Sequence, residues 1–152
     1  MEPVDPTTLR RYSLFGGLAE HELERIAPRL LRQSFTTGQA LISEGEQGRT
    51  IYLLLSGRVE VTRLRPDGRP ARVAELGPGA TVGEMELLDL HPRSASVVAL
   101  EPVEALVLDR AELLALSRES MSSFAIMVMN LARDLSRRLR AADAELARRD
   151  RD

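Results

Sequence analysis

The chain has 152 residues, enough for one domain at roughly 100–200 residues each. Hydrophobic residues make up 43% and charged residues 29%, a balance that supports a packed core and argues against disorder. The formal net charge of −2 gives no global positive field to hold a polyanion. The absence of cysteine excludes disulfides, a thiolate nucleophile and cysteine-ligated metals. With only His21 and His91, no histidine cluster of the kind metal enzymes use can be assembled. The apolar runs 51–55 and 124–129 fall far short of the ~20 residues a bilayer span needs. The start, Met1-Glu2-Pro3-Val4-Asp5-Pro6, lacks a basic and an apolar leader region, so a cytoplasmic protein is expected.

In chain order, residues 1–30 form a helical segment. Leu9, Tyr12 and Leu14-Phe15 recur at helical spacing until Gly16-Gly17 interrupts them. A second helix starts near Ala19, carries Leu23, Ile26 and Leu30 on one face, and is ended or kinked by Pro28. From 31 to 108 the texture turns to short β-branched or aliphatic runs separated by Gly, Pro, Asp and Ser. Seven strands are predicted: 32–35, 40–43, 50–55, 58–64, 71–75, 94–99 and 103–108, with Pro66-Asp67-Gly68 as a hairpin turn. Such spacing implies a sandwich or barrel. Beyond it, residues 109–152 return to helical period. Asp109 caps a helix carrying Leu113, Leu114 and Leu116, and Ser120 or Ser122-Ser123 caps a longer one to about Arg149. The long helix's stripe passes through Phe124, Met127, Leu131, Leu135, Leu139, Ala142 and Leu146. It outruns what so small a barrel can cover, and a homodimer through this helix is expected.

The stretch that carries chemistry is 77–98. Gly83 allows close backbone approach, a helical turn follows whose first N–H groups suit an anion, and Arg93 comes ten residues later with a fork matched to two phosphate oxygens. Glu84 has no use for an anion but would accept from the hydroxyls of a neighbouring ribose. The run Gly83-Glu84-Met85, Leu87-Leu88 and Pro92-Arg93-Ser94-Ala95-Ser96-Val97 resembles the phosphate-binding cassette of the cyclic nucleotide-binding domain family. Gly38, Glu44-Gly45, Gly48, Tyr52 and 56–59 sit where that family's β-roll glycines and strands fall.

The resemblance implies a mainly β fold with flanking helices: an eight-stranded β-roll, or jelly roll, with N-terminal helices, a short cassette helix and a long C-terminal helix. It implies that Gly83, Glu84, Met85, Arg93, Ser94 and Ala95 form the phosphate and ribose site, with Glu84 on the 2′-hydroxyl and Arg93 on the cyclic phosphate. Val61, Val73 and Ala74 fall where family members rest the purine. The implied ligand is cyclic AMP, with cyclic GMP compatible, and the implied role is a sensor that moves its C-terminal helices and passes the signal to an effector protein of unknown identity. Leu87 or Leu88 would transmit the shift. Direct DNA binding is not expected, since few residues follow Leu146.

Two departures stand out. Glu86 replaces a small residue and is read as a solvated side chain, in preference to one that lowers phosphate affinity by repulsion, and Val82 replaces an aromatic. Ala142 and Asp143 fall where relatives use polar residues to reach the base. A cupin-like metalloenzyme would need histidines the chain lacks, a hydrolase would need a Ser–His pairing nothing suggests, and no enzyme is expected. The remaining alternative is a β-roll that keeps its fold as a dimeric interaction scaffold without ligand.

Overall fold

A computed structural model describes residues 4–151; residues 1–3 and 152, which the segments 1–30 and 109–152 include, lie outside it. Eight strands form two four-stranded antiparallel sheets. The strands are β1 (Leu31–Phe35), β2 (Ala40–Ile42), β3 (Thr50–Ser56), β4 (Val59–Leu64), β5 (Pro70–Leu76), β6 (Thr81–Val82), β7 (Ser96–Ala99) and β8 (Val103–Asp109). One sheet runs β1-β8-β3-β6 and the other β2-β7-β4-β5. The helices are α1 (Glu20–Ile26), α2 (Glu84–Asp89), α3 (Arg110–Glu119) and α4 (Met121–Arg151). This is the expected β-roll with flanking helices.

The pleat sorts the core into two clusters. On β3, Ile51 and Leu53 face the helices while Leu54 faces the opposite sheet; on β8, Leu106 and Leu108 face the helices while Val103 and Ala105 face the other way. Both faces of the β3–β8 pair are therefore buried, which is why 51–55 reads as an unbroken apolar run. The outer cluster joins Leu9, Tyr12, Leu14 and Phe15 to Leu23, Ile26, Leu113, Leu116, Met127 and Leu131. Polar ties fix the helices to this layer. The Tyr12 hydroxyl donates to Leu54 O at 2.6 Å, and burial pushes its pKa up. Asn130 Nδ2 on α4 donates to Leu14 O and Gly16 O at 2.8 and 2.9 Å.

The chain around Leu9–Phe15 forms two 3-10 turns, Pro6–Arg11 and Ser13–Phe15, rather than a regular α-helix. Asp5 caps the first through Thr7 N, and Tyr12, in an extended conformation, separates the two, so the apolar residues at helical spacing reach the core from short turns. Helix α1 follows Ala19 and passes into a 3-10 turn at Ala27–Arg29, where Pro28 removes a donor. Glu22 caps its start by accepting from Ala19 N at 3.0 Å and ties it to α4 by accepting from Ser123 Oγ at 2.5 Å. Those two hydrogen bonds hold the Glu22 carboxyl below its usual pKa, the Ser123 bond most. Asp109 and Ser120 cap α3 and α4: Asp109 accepts from Ala111 N, and Ser120 Oγ accepts from Ser123 N.

Two strand features position the cavity described below. The β4–β5 hairpin turns at Pro66-Asp67-Gly68 with Gly68 at φ 85°. Its register passes from Val61↔Ala74 to Thr62↔Arg72, leaving Val73 as an extra residue in a β-bulge. The second is β6, two residues long and paired to β3 through Tyr52↔Val82 and Leu53↔Thr81; it was not among the seven strands predicted from periodicity.

Candidate functional site

Strand β6 delivers the chain to Gly83, which adopts φ 87°. A Cβ there would lie 2.8 Å from both Thr50 O and Arg93 Nη1, so only glycine fits. Helix α2 begins at the next residue and ends at Leu90, a non-glycine residue at φ 60°. Between α2 and the β4–β5 hairpin lies a cavity of ≈ 610 Å³, within the usual size range of small-molecule sites. Gly83, Glu84, Met85, Ser94, Ala95, Val61, Val73 and Ala74 all line it. Eight of the nine residues singled out from the sequence thus meet around one space, drawn from β4, β5, the cassette and the turn before β7.

The ninth, Arg93, stands behind Gly83 and does not line the cavity. Its side chain is 5% exposed. Nη1 donates to Gly83 O at 3.1 Å, and Nη2 donates to Thr50 O at 2.9 Å and Thr50 Oγ1 at 3.2 Å. The guanidinium lies against Gly48, where a Cβ would sit 1.9 Å from Nε. Gly48 is thus a requirement of the arginine's place.

Glu84 is 3% exposed, and its carboxylate pairs with Arg138 of α4. Its Oε1 is buried and has no hydrogen bond of good geometry, so the pairing with Arg138 rests on charge. Glu86 corrects the sequence expectation. It is 6% exposed rather than solvated. Its Oε1 accepts from Ser94 N at 3.0 Å and Ser94 Oγ at 2.9 Å, and its Oε2 lies 3.7 Å from Arg93 Nη1. The turn of α2 points this side chain inward, where the charge of Arg93 and the donors of Ser94 offset its desolvation.

Ala142 and Asp143 are exposed and do not line the cavity. Arg138, about one turn earlier on α4, lines it instead and was not singled out from the sequence. His91 is exposed and is among the residues that line the cavity. Leu88 is exposed, and the side chain of Leu87 lies outside the described residues. Ile42, Val61, Leu76 and Val97 give the space apolar walls on the side of the β2-β7-β4-β5 sheet, while Glu84, Glu86 and Asp89 come from α2, Arg63 from β4 and Arg138 from α4. Such a site suits a ligand with a flat apolar part and a hydroxylated, polar part.

A family model described as the cyclic nucleotide-binding domain matches residues 32–120, more than half of the chain. The chain belongs to the cyclic nucleotide-binding domain family. It is 41% identical over 133 residues to the cyclic AMP receptor protein of Thermus thermophilus, covering 88% of this chain and 60% of that protein. It is 31% identical over 139 residues to a CRP-like cAMP-activated global transcriptional regulator of Mycobacterium tuberculosis, covering 91% of this chain and 60% of the relative. The chain thus spans about 60% of the length of both curated relatives. Among solved structures, the T. thermophilus catabolite activator protein superposes with a TM-score of 0.80 at 41% identity, over 89% of this chain and 62% of that one. A cyclic nucleotide-binding domain from Methylobacillus flagellatus superposes at 0.85 with 25% identity, over 95% and 85%. The family is one of ligand-binding domains. No helix among the described residues is long and apolar enough to cross a membrane.

Proposed function

We propose that the protein is a cyclic nucleotide sensor that binds cyclic AMP, and more weakly cyclic GMP, in the cavity between α2 and the β4–β5 hairpin. The observation that carries this reading is the convergence of Gly83, Glu84, Ser94 and Ala95 with Val61, Val73 and Ala74 around one space, with Arg93 directly behind Gly83. In this reading the purine rests on the valines and Ala74, Glu84 accepts from the ribose 2′-hydroxyl, and the cyclic phosphate lies over the cassette with Arg93 as its counter-charge. Met85 packs at the border. The protein acts in the cytoplasm as a binding protein and not as an enzyme.

The output follows from Arg138. The ribose hydroxyl and Arg138 compete for one carboxylate, so ligand weakens the tie between the cassette and α4 and shifts the helix by differential affinity for its two positions. Residues 31–108 then serve as receptor, with 1–30 and 109–152 as the helical parts that respond. Leu139 and Leu146 are 63% and 60% exposed on α4, and we assign them to a homodimer seam that relays the change to an effector protein.

Thermal melting with added nucleotides tests the reading. At ~100-fold excess over Kd, a ligand that binds only the folded state adds about 2.7 kcal/mol, several degrees for a chain of this size. The expected order is cyclic AMP above cyclic GMP, with AMP and cyclic di-GMP near zero. If no cyclic nucleotide moves the transition, the domain is a scaffold and the proposal fails.

A further inference from the structure

We infer that Glu86 is an internal anion that competes with a ligand phosphate for the donors of Ser94 and so sets the affinity of the site for charged ligands. The inference rests on the cyclic nucleotide reading above and adds a residue which that reading does not use. A cyclic phosphate carries one negative charge and needs donors for its two free oxygens. The donors near the cassette that could serve it include, besides the first N–H groups of α2, Ser94 N, Ser94 Oγ and the guanidinium of Arg93. Both donors of Ser94 already end on one oxygen of Glu86, at 3.0 and 2.9 Å. Of the five N–H donors of Arg93, those on Nη2 go to Thr50 O and Oγ1 and one on Nη1 goes to Gly83 O. Nε lies against Gly48. The second Nη1 donor lies on the nitrogen nearest Glu86, whose Oε2 is 3.7 Å away. A carboxylate therefore already holds donors that a phosphate seated beside Ser94 would use.

Two anions cannot share these donors, because like charges a few ångströms apart in a part-buried site repel strongly. Binding of a cyclic phosphate is thus an exchange. Glu86 must leave Ser94, and the phosphate takes the vacated hydrogen bonds. The bonds gained replace bonds lost, so the phosphate contributes less to affinity here than it would beside a small residue. Glu84 does not act in this way, since its partner is Arg138 on α4 and neither Ser94 nor Arg93 donates to it. A nucleoside without phosphate fills the hairpin side of the cavity and leaves Glu86 where it is.

Calorimetric titration of wild type, Glu86→Ala and Glu86→Gln with cyclic AMP, and with adenosine as the uncharged probe, tests this. Both variants are expected to bind cyclic AMP about tenfold or more tightly than wild type, the scale of one charge-assisted hydrogen bond, with adenosine affinity unchanged. Glutamine keeps an oxygen able to accept from Ser94 and safeguards the test should alanine fail to fold, with melting as the check. Equal or weaker cyclic AMP binding by the folded variants would overturn the inference. An equal gain for adenosine would also overturn it, by showing that Glu86 acts through space and not charge. If cyclic AMP binds neither wild type nor variants, the cyclic nucleotide reading falls and this inference falls with it, whereas binding by all three with equal affinity removes this inference alone.

Discussion

Replacing Arg93 by alanine should cost stability as well as binding, and its magnitude follows from the contacts it makes. Three hydrogen bonds disappear, to Gly83 O, Thr50 O and Thr50 Oγ1. Glu86, 6% exposed, loses the nearest cation. Each hydrogen bond to a charged group contributes about 1.5–3 kcal/mol, and removing one partner of a buried ion pair costs about 3–5 kcal/mol. These terms overlap, because the same guanidinium makes the hydrogen bonds and supplies the charge that faces Glu86. The expected loss is therefore about 3–5 kcal/mol, a large share of the roughly 5–15 kcal/mol that holds a domain together. In urea, with a slope of about 2 kcal/mol per molar, the midpoint should fall by about 1.5–2.5 M with the slope unchanged. The double change Arg93→Ala, Glu86→Ala should recover about 1 kcal/mol or more relative to the sum of the singles, because no unpaired carboxylate remains. A loss under about 1 kcal/mol for Arg93→Ala, or strict additivity in the cycle, would refute the account of Arg93 as a structural tie as well as a ligand group.

Asn130→Ala leaves Leu14 O and Gly16 O without their donor and should cost about 1–3 kcal/mol by chemical denaturation. Glu22 has a lowered pKa in the folded state, so its bonds to Ala19 and Ser123 stabilise above the ordinary carboxylate pKa and are lost as pH falls through the lowered value. Ser123→Ala should accordingly melt earlier than wild type at neutral pH, and the gap should close under acid conditions; a gap independent of pH would contradict this. Leu139→Asp with Leu146→Asp, both exposed on α4, should leave the melting temperature nearly unchanged and convert the proposed dimer to monomer in sedimentation. Gly48→Ala should displace Arg93, since its Cβ would overlap Nε, and should reduce cyclic AMP affinity more than Gly38→Ala, where a Cβ meets nothing within 4 Å.

Strands β3 and β8 were legible because they are buried on both faces, and Gly83, Glu84 and Arg93 because the run that holds them resembles the family's phosphate-binding cassette. Strand β6 was hidden, since two residues following Gly77-Pro78-Gly79 carry no period. Val73 was placed with the site from the resemblance, but the bulge that gives it its place has no sequence mark. Arg138 lay among many arginines on the polar side of a long helix, and nothing local separates the one that reaches Glu84, 54 positions back, from its solvated neighbours. Glu86 stood out as unusual, yet whether a carboxylate on a six-residue helix turns inward depends on Ser94 and Arg93 arriving from the other side of the turn.

The β3–β8 pair, with one cluster on each face, also divides the molecule kinetically. Amide protons of Ile51–Leu54 and Ala105–Leu108 sit in the middle of a sheet with apolar layers above and below, where exchange requires the highest-energy opening. They should exchange last, and through global unfolding. The β4–β5 hairpin has an exposed turn and an outer strand, and its amides should open in smaller, cheaper events. A ligand seated on the hairpin would slow exchange there by suppressing those local events, while the central pair would slow only by the overall gain in stability. Comparing the two protection factors would therefore separate occupancy of the cavity from any general stiffening of the domain.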